Sequence, residues 1–443
     1  MHQKIKQFYS EAIQSVTLNL DNYVFQPGKD LTRNKKMPVN SLINYLIVQG
    51  SSSTHNELLD FFGMSSNMPS VSAFCQQRAK LKPEALEAVF HHFNSAVIGM
   101  ESQKKDYRFL AVDGSDLAFC SRPTLSAPEY FLLQGHGPKG MYSMHLTALY
   151  DLDRNTYTDG FIQPYCIKDE HAAFCRMLET HSFLSGTKDV FIGDRGIGSF
   201  NTMAHIMERN QYFLFRTKDI HSKGLTKGLN LPDEDYFDIP VSLTLTRCHS
   251  SRKLPPLSGI VRFIAKITVF DFIEYGTGEI YKMFFRVVRF PISEKEHECI
   301  LTNLPEDEFP LERIKELYSR RWAIESSFRK LKYTIGLNNF HACKAEFVKQ
   351  EVWARMIAYN ITECIVNHTV IKCGKTKYEY KVNFSSAAHI CRVFLRPDSK
   401  EKDPINVILL LQKELIPIRR NRKYPRRNTE HNLNRDHFTY RAS

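Results

Sequence analysis

Apolar residues repeat with a helical period over the first hundred or so positions and then give way to short β-like runs. In Pro83 to Val97 the apolar positions Leu86, Val89, Phe90, Phe93 and Val97 follow the i, i+3, i+4, i+7, i+11 spacing of one helix face, with Pro83 suited to a first turn. His55 to Phe62 predicts a short helix stopped by Gly63. Ser70 to Leu81 predicts another, which starts on serine caps and displays Gln76, Gln77, Arg78 and Lys80. Two short helices about a glycine-containing turn fit a helix-turn-helix, whose second helix would carry Arg78 into a groove, or equally a plain helical bundle.

From Tyr107 the period changes to two. Tyr107 to Phe119, Met144 to Leu152 and Thr156 to Tyr165 predict three strands, the last following a turn at Asp153 to Asn155. A helix near Glu170 to Phe183, a strand at Asp189 to Gly193, a helix from Ser199 and a strand at Tyr212 to Arg216 complete an α/β pattern, which places polar residues at strand ends. Val241 to Leu245, Val261 to Phe272 and Tyr281 to Val288 then predict a mostly β insertion. Helical periodicity returns at Leu311 and runs to about Val366. The expected organisation is a helical region over 1–105, a core over 106–218, a β insertion over 219–304, the rest of the core over 305–366, and a basic C-terminal region over 367–443.

Composition narrows the partners. Lys and Arg number 60 against 48 Asp and Glu, a net charge of +12 with pI near 9.1, which favours polyanions. The basic run Arg419, Arg420, Arg422, Lys423, Arg426 and Arg427 reads as a solvated tail or as extra phosphate contacts. Met1 to Leu20 lacks the apolar core of a signal peptide, and no run approaches the roughly 18 apolar residues of a membrane span. A cytosolic protein is expected. The ten cysteines form no CxxC pair and the seventeen histidines no HExxH, so neither a disulfide framework nor a zinc site is predicted.

Candidate chemistry lies in three acids. Asp113 ends the apolar stretch Leu110-Ala-Val and is followed by Gly114, which predicts a sharp turn that exposes the carboxylate; alone, such an Asp-Gly pair also fits an ordinary turn. Asp194 repeats the theme in Val190-Phe-Ile-Gly-Asp-Arg-Gly, and the two acids converge if their strands are neighbours. Tyr318, Arg321, Glu325 and Lys332 fit Y-x2-R-x3-E-x6-K. At roughly 100° per helical residue they fall within about 60° of one another, while Leu317, Ile324, Phe328 and Leu331 point elsewhere and can anchor the helix. Asp116 and Glu170 read as capping or surface residues, or as supports for the site. Arg195 could touch phosphate or pair with a carboxylate.

That four-residue signature, with Asp113-Gly-Ser and Asp194-Arg-Gly, resembles the DDE transposases of bacterial insertion sequences of the insertion-sequence-four type. The similarity extends to Ser72-Ala-Phe-Cys-Gln-Gln-Arg-Ala-Lys-Leu and His145-Leu-Thr-Ala-Leu-Tyr-Asp-Leu, and covers roughly residues 40 to 365. It implies an RNase H-like α/β core interrupted by the insertion, with Asp113, Asp194 and Glu325 as catalytic metal ligands. It also implies that Tyr318, Arg321 and Lys332 hold transposon-end DNA, and that a homodimer forms on paired double-stranded ends in a bacterial cytoplasm, associated with the nucleoid. In relatives an aromatic residue of the insertion stacks on a flipped base. The tryptophans here, Trp322 and Trp353, lie outside it, so a Phe or Tyr would have to serve.

The chemistry suits these residues. Two Mg²⁺ ions about 3.5 to 4 Å apart, or Mn²⁺ in their place, can clamp the attacking and leaving oxygens of a phosphodiester, and three carboxylates supply the hard oxygen ligands they prefer. Arg321 grips phosphate as a planar fork and Lys332 as a point charge. Two other readings share the site: a nuclease that cuts without joining, and a transposase-derived DNA-binding protein that no longer cuts.

Overall fold

The computed structural model describes residues 1–33, 36–100, 105–133, 140–250, 252–257, 259–294, 296–371, 378–397 and 406–419. Five helices open the chain: α1 (His2–Leu18), α2 (Val39–Val48), α3 (Thr54–Phe61), α4 (Val71–Arg78) and α5 (Glu84–Gly99). Ser53 and Ser70 cap α3 and α4 by accepting the backbone N–H of Asn56 and Ala73. The predicted face of α5 is buried along its length, from Leu86 to Val97. The segment between α3 and α4 spans residues 62–70, longer than the three- or four-residue turn of a helix-turn-helix.

Ten strands then form one mixed sheet: β1 (Tyr107–Phe119), β2 (Phe131–Leu133), β3 (Gly140–Asp151), β4 (Thr156–Pro164), β5 (Lys188–Gly193), β6 (Tyr212–Thr217), β7 (Phe237–Thr246), β8 (Ile260–Phe263), β9 (Ile280–Pro291) and β10 (His297–Thr302). β4, β3 and β1 are antiparallel neighbours, and β5 and β6 continue parallel to β1. This is the RNase H-like arrangement. Helices α6 (Glu170–Thr180) and α7 (Phe200–Met207) link β4 to β5 and β5 to β6. A Ser199–Thr202 capping box starts α7.

The insertion is β-rich but continues the same sheet. β10 pairs antiparallel with β6, β9 with β10, and β7 with β9, and β8 closes the far edge. Without β10 the outer ladder of β6 would be an open edge. The strand expected over Val261 to Phe272 ends at Phe263, and β10 was not foreseen because His297-Glu-Cys is too polar to read as strand.

The sheet separates two cores. Phe109, Ala111, Leu117 and Phe119 of β1 face α5, α8 (Leu311–Arg320), α9 (Trp322–Arg329) and α10 (Ala345–Asn367), whereas Leu110 and Val112 face α6 and α7. α10 is buried nearly all round, so its polar residues are paired: Asn360 brackets Tyr157 by accepting its N–H at 2.9 Å and donating to its carbonyl at 2.7 Å. Arg78, expected to face DNA, is instead 3% exposed. It donates to Gln350 at 2.8 Å and Glu351 at 2.9 Å, tying α4 to α10.

In the described part of the C-terminal region, β11 (Tyr380–Val382), α11 (Phe384–Leu395), α12 (Val407–Lys413) and β12 (Leu415–Pro417) pack against α10 and α2 or against one another. Of the basic run, only Arg419 lies within the described residues. Among the described residues no two cysteines form a disulfide, and no helix is long and apolar enough to cross a membrane.

Candidate active site

Asp113 does not end a strand. β1 runs six residues further, and Asp113 faces Ala148 and Gly114 faces Thr147 across the ladder to β3. The adjacent parallel strand β5 pairs Gly193 with Val112, so Asp194, one residue on, emerges beside Asp113. Asp194 leaves the strand into a tight turn in which its Oδ1 accepts the Gly196 N–H at 2.8 Å. By parity Asp113 projects to the face of Ala111 and Phe109, the face on which α9 packs and brings up Glu325.

The charges of Asp194 and Glu325 both act on Asp113. Burial, then the charges of Asp194 and Glu325, push the Asp113 carboxyl up to about 6, against the opposing effects of the Gly114 N–H and Arg321. Arg321 Nη2 lies 2.9 Å from Glu325 Oε1. Among the described residues no three His, Cys, Asp or Glu side chains are gathered tightly enough to enclose a metal ion.

The helix carrying the four-residue signature is not uniform. Tyr318 lies in the last turn of α8, Arg321 in a one-residue junction, Glu325 in α9, and Lys332 in a π-helical turn over Lys330–Thr334. The anchoring face is as expected: Leu317, Ile324, Phe328 and Leu331 are all buried. The wider π turn lets Lys332 reach β1, where its Nζ donates to the Asp116 carbonyl at 2.9 Å. Arg321 and Tyr318 are themselves buried, while Trp322 between them and Glu325 is exposed and lies under the Arg321 guanidinium.

Two groups were only partly read from the sequence: Asp116, Glu170 and Arg195 were candidates, whereas Arg216, Glu298, His145 and Lys168 were not. Arg216, on β6, lies 3.6 Å from Glu298 of β10, and the charges of Arg216, Arg321 and Arg195 all act on Glu298. Arg195 itself is exposed. Among the described residues the buried Nε atoms of Arg216 and Arg321 find no hydrogen-bond acceptor, although both guanidinium groups are ion-paired, Arg216 with Glu298 and Arg321 with Glu325. The signal was an Arg ending an otherwise apolar strand.

The second group crosses the other face. His145, 2% exposed on β3, lies directly opposite Asp116, with Nδ1 at 2.6 Å from Asp116 Oδ1 and Nε2 at 2.9 Å from Glu170 Oε1. Burial opposes charge on the imidazole, but the two carboxylates overcome it and hold its pKa above the ordinary value. Lys168 adds an ion pair to Asp116 at 3.0 Å. Glu170 is not the cap of α6; Asp169 is, accepting the Ala172 N–H. Ser143, His145 and Thr147, polar at alternate positions of an apolar strand, marked this face in the sequence.

A model of the transposase DDE domain matches residues 104–361, more than half of the chain. The chain belongs to the transposase DDE domain family. The family depends in general on divalent metal ions. Among relatives, the transposase for insertion sequence element IS421 of Escherichia coli is 34% identical over 70 residues, 16% of this chain and 19% of that protein. The transposase InsG for insertion sequence element IS4 of Escherichia coli strain K12 is 28% identical over 148 residues, 30% of this chain and 33% of the relative. The transposase for IS231B of Bacillus thuringiensis is 23% identical over 198 residues, 38% and 40% of the two chains. The chain thus spans between a fifth and two fifths of these curated relatives. A solved synaptic complex of the piggyBac transposase with hairpin DNA aligns over 89% of this chain and 77% of its own, at 8% identity and a TM-score of 0.44.

Proposed function

We propose that this member of the DDE family is a cut-and-paste transposase, which cleaves phosphodiester bonds at the ends of a mobile element and joins the released 3′-hydroxyls to target DNA. The observation that carries the reading is the side-by-side placement of Asp113 and Asp194 on parallel strands, with Glu325 brought to the same place by α9.

The donor set fits divalent ions of the Mg²⁺ and Mn²⁺ kind: all three side chains offer hard oxygens, and their mutual repulsion, visible in the raised pKa of Asp113, is what a cation would relieve. Asp113, Asp194 and Glu325 would hold two such ions, which when bound supply Lewis acidity at the attacking and leaving oxygens. The protein's own cations do the positioning. Arg321 and Arg216 each hold an Nε–H without a hydrogen-bond acceptor, Lys332 is fixed by the Asp116 carbonyl, and Arg195 is exposed next to Asp194. Together with the Tyr318 hydroxyl they would hold a DNA end so that its scissile phosphate meets the carboxylates. No protein nucleophile is needed, since water and then a DNA hydroxyl attack. Two copies would assemble on paired ends.

The test uses the full chain, Mg²⁺ and DNA bearing the inverted repeats that flank its gene. Cleaved ends and, from pre-cut ends, joined product are expected; Asp194→Ala and Glu325→Ala should still bind ends but leave them uncut. A variant that cuts as the wild type does overturns the metal-ligand assignment, and cutting without joining reduces the protein to a nuclease.

A further inference from the structure

The glycines that follow the two catalytic aspartates are not explained by backbone conformation, because neither Gly114 nor Gly196 has a positive φ. Space explains them. A Cβ on Gly114 would lie 2.4 Å from His145 Nε2 and 2.8 Å from Glu170 Oε1; a Cβ on Gly196 would lie 3.3 Å from Glu170 Oε2 and 3.2 Å from Asp194 Oδ1. One carboxylate, Glu170, therefore fills the room that both glycines leave, with one oxygen under β1 and the other in the turn of Asp194.

It is also held there. His145 is buried and bridges Glu170 to Asp116, its register partner across the β1–β3 ladder, and Lys168 braces Asp116 from the side. A surface glutamate would not require a buried histidine and two glycines to keep it in place. Resting on the proposed carboxylate site, we propose that Glu170 is a fourth carboxylate ligand of that site, and that His145 and Asp116 are positioning residues that aim it past Gly114 toward Asp194. This places one ligand on α6, so that the two faces of the sheet, through Glu170 and Glu325, both contribute to metal binding. A carboxylate–histidine pair behind a ligand orients it and fixes its basicity, an effect typically amounting to about 10–100-fold in metal affinity.

The experiment is Mn²⁺ binding by the full chain without DNA, followed by the electron paramagnetic resonance signal of free Mn²⁺, with thermal melting as a control for folding. Glu170→Gln should weaken Mn²⁺ binding by about tenfold or more. His145→Gln and Asp116→Asn should shift it in the same direction, by less. Gly196→Ala, which leaves every carboxylate in place but crowds Glu170 and Asp194, is an independent variant and should also weaken it. If Asp113→Asn abolishes binding while Glu170→Gln and Gly196→Ala bind as the wild type does, the role of Glu170 is overturned and the three-carboxylate site stands. If the wild type binds no Mn²⁺, both fail.

Discussion

The ladder between β1 and β5 carries charged residues at its start and just beyond its last pair, and the two places differ in how the charge is compensated. At the start of the pair Arg108 and Asp189 are register partners, joined by bonds of 2.7 and 2.6 Å, with His181 2.9 Å from the same carboxylate. Burial would raise the Asp189 pKa, yet His181 and Arg108 hold it below the ordinary range. Five residues on, Asp113 and Asp194 stand side by side with a third acid nearby, and Asp113 rises to about 6. The same ladder thus holds a closed ion pair that serves the fold and an open cluster of like charge that does not. Like charge gathered on so regular a scaffold is what the proposed function would use to hold its metal ions.

The largest effect expected from that contrast is catalytic. Asp113→Asn should lower DNA cleavage by about a thousandfold or more, several kcal/mol of transition-state stabilisation, while its melting temperature stays level or rises because one of three crowded charges is gone. A variant that loses activity only as it loses stability would erase the distinction. Next comes Asp189→Asn, which leaves Arg108 buried without its counter-charge. Chemical denaturation should show a loss of about 3–5 kcal/mol, with the cleavage rate per folded molecule unchanged. An undiminished stability would mean that the closed end is not structural.

Asp159 offers a smaller, graded case. On β4 it accepts the Gly160 N–H at 2.7 Å, but the basic group it pairs with is His91, 3.6 Å away and itself pushed down to about 4 by burial. Burial raises Asp159 to about 7, above its ordinary 3.8. The folded state therefore keeps a proton that the unfolded chain releases, so its contribution to stability is full below about pH 4 and is lost as pH rises to about 7. Asp159→Asn should remove that loss: no gain below pH 4, a gain growing through the window, and a plateau on the order of 4 kcal/mol above pH 7, at about 1.4 kcal/mol per pKa unit. Melting curves that shift equally at pH 4 and pH 8 would contradict it.

Much of this was legible in the residues because it follows from period. The face of α5, the strands that deliver Asp113 and Asp194, and the apolar anchors of the Glu325 helix all rest on spacings that burial enforces locally. What escaped depends on contacts between distant segments. Arg78 has the look of a surface residue on a short polar helix, and only α10, some 270 residues later, supplies Gln350 and Glu351 to bury it. Gly114 reads as a turn because Asp-Gly pairs usually are one; that it lies within a strand, vacating space for Glu170, requires β3 and α6 to be in place. Arg216 and Glu298 meet only because β10 returns to β6. The break of the signature helix into α, junction and π segments likewise answers to the position of β1 rather than to propensity.

The seam between β6 and β10 bears on how the molecule comes apart. Had the insertion been a separate body on a linker, it could open or melt independently and be exchanged for another of any shape. Here Thr302 donates its hydroxyl to the Phe213 carbonyl, and Asn303 accepts the Phe213 N–H while donating to the Gln211 carbonyl, so the insertion is sewn to the strand next to β5. In hydrogen exchange, amides of β10, β9 and β6 should therefore share one opening event, and the catalytic strands would inherit the cooperativity of a segment that contributes none of their acids.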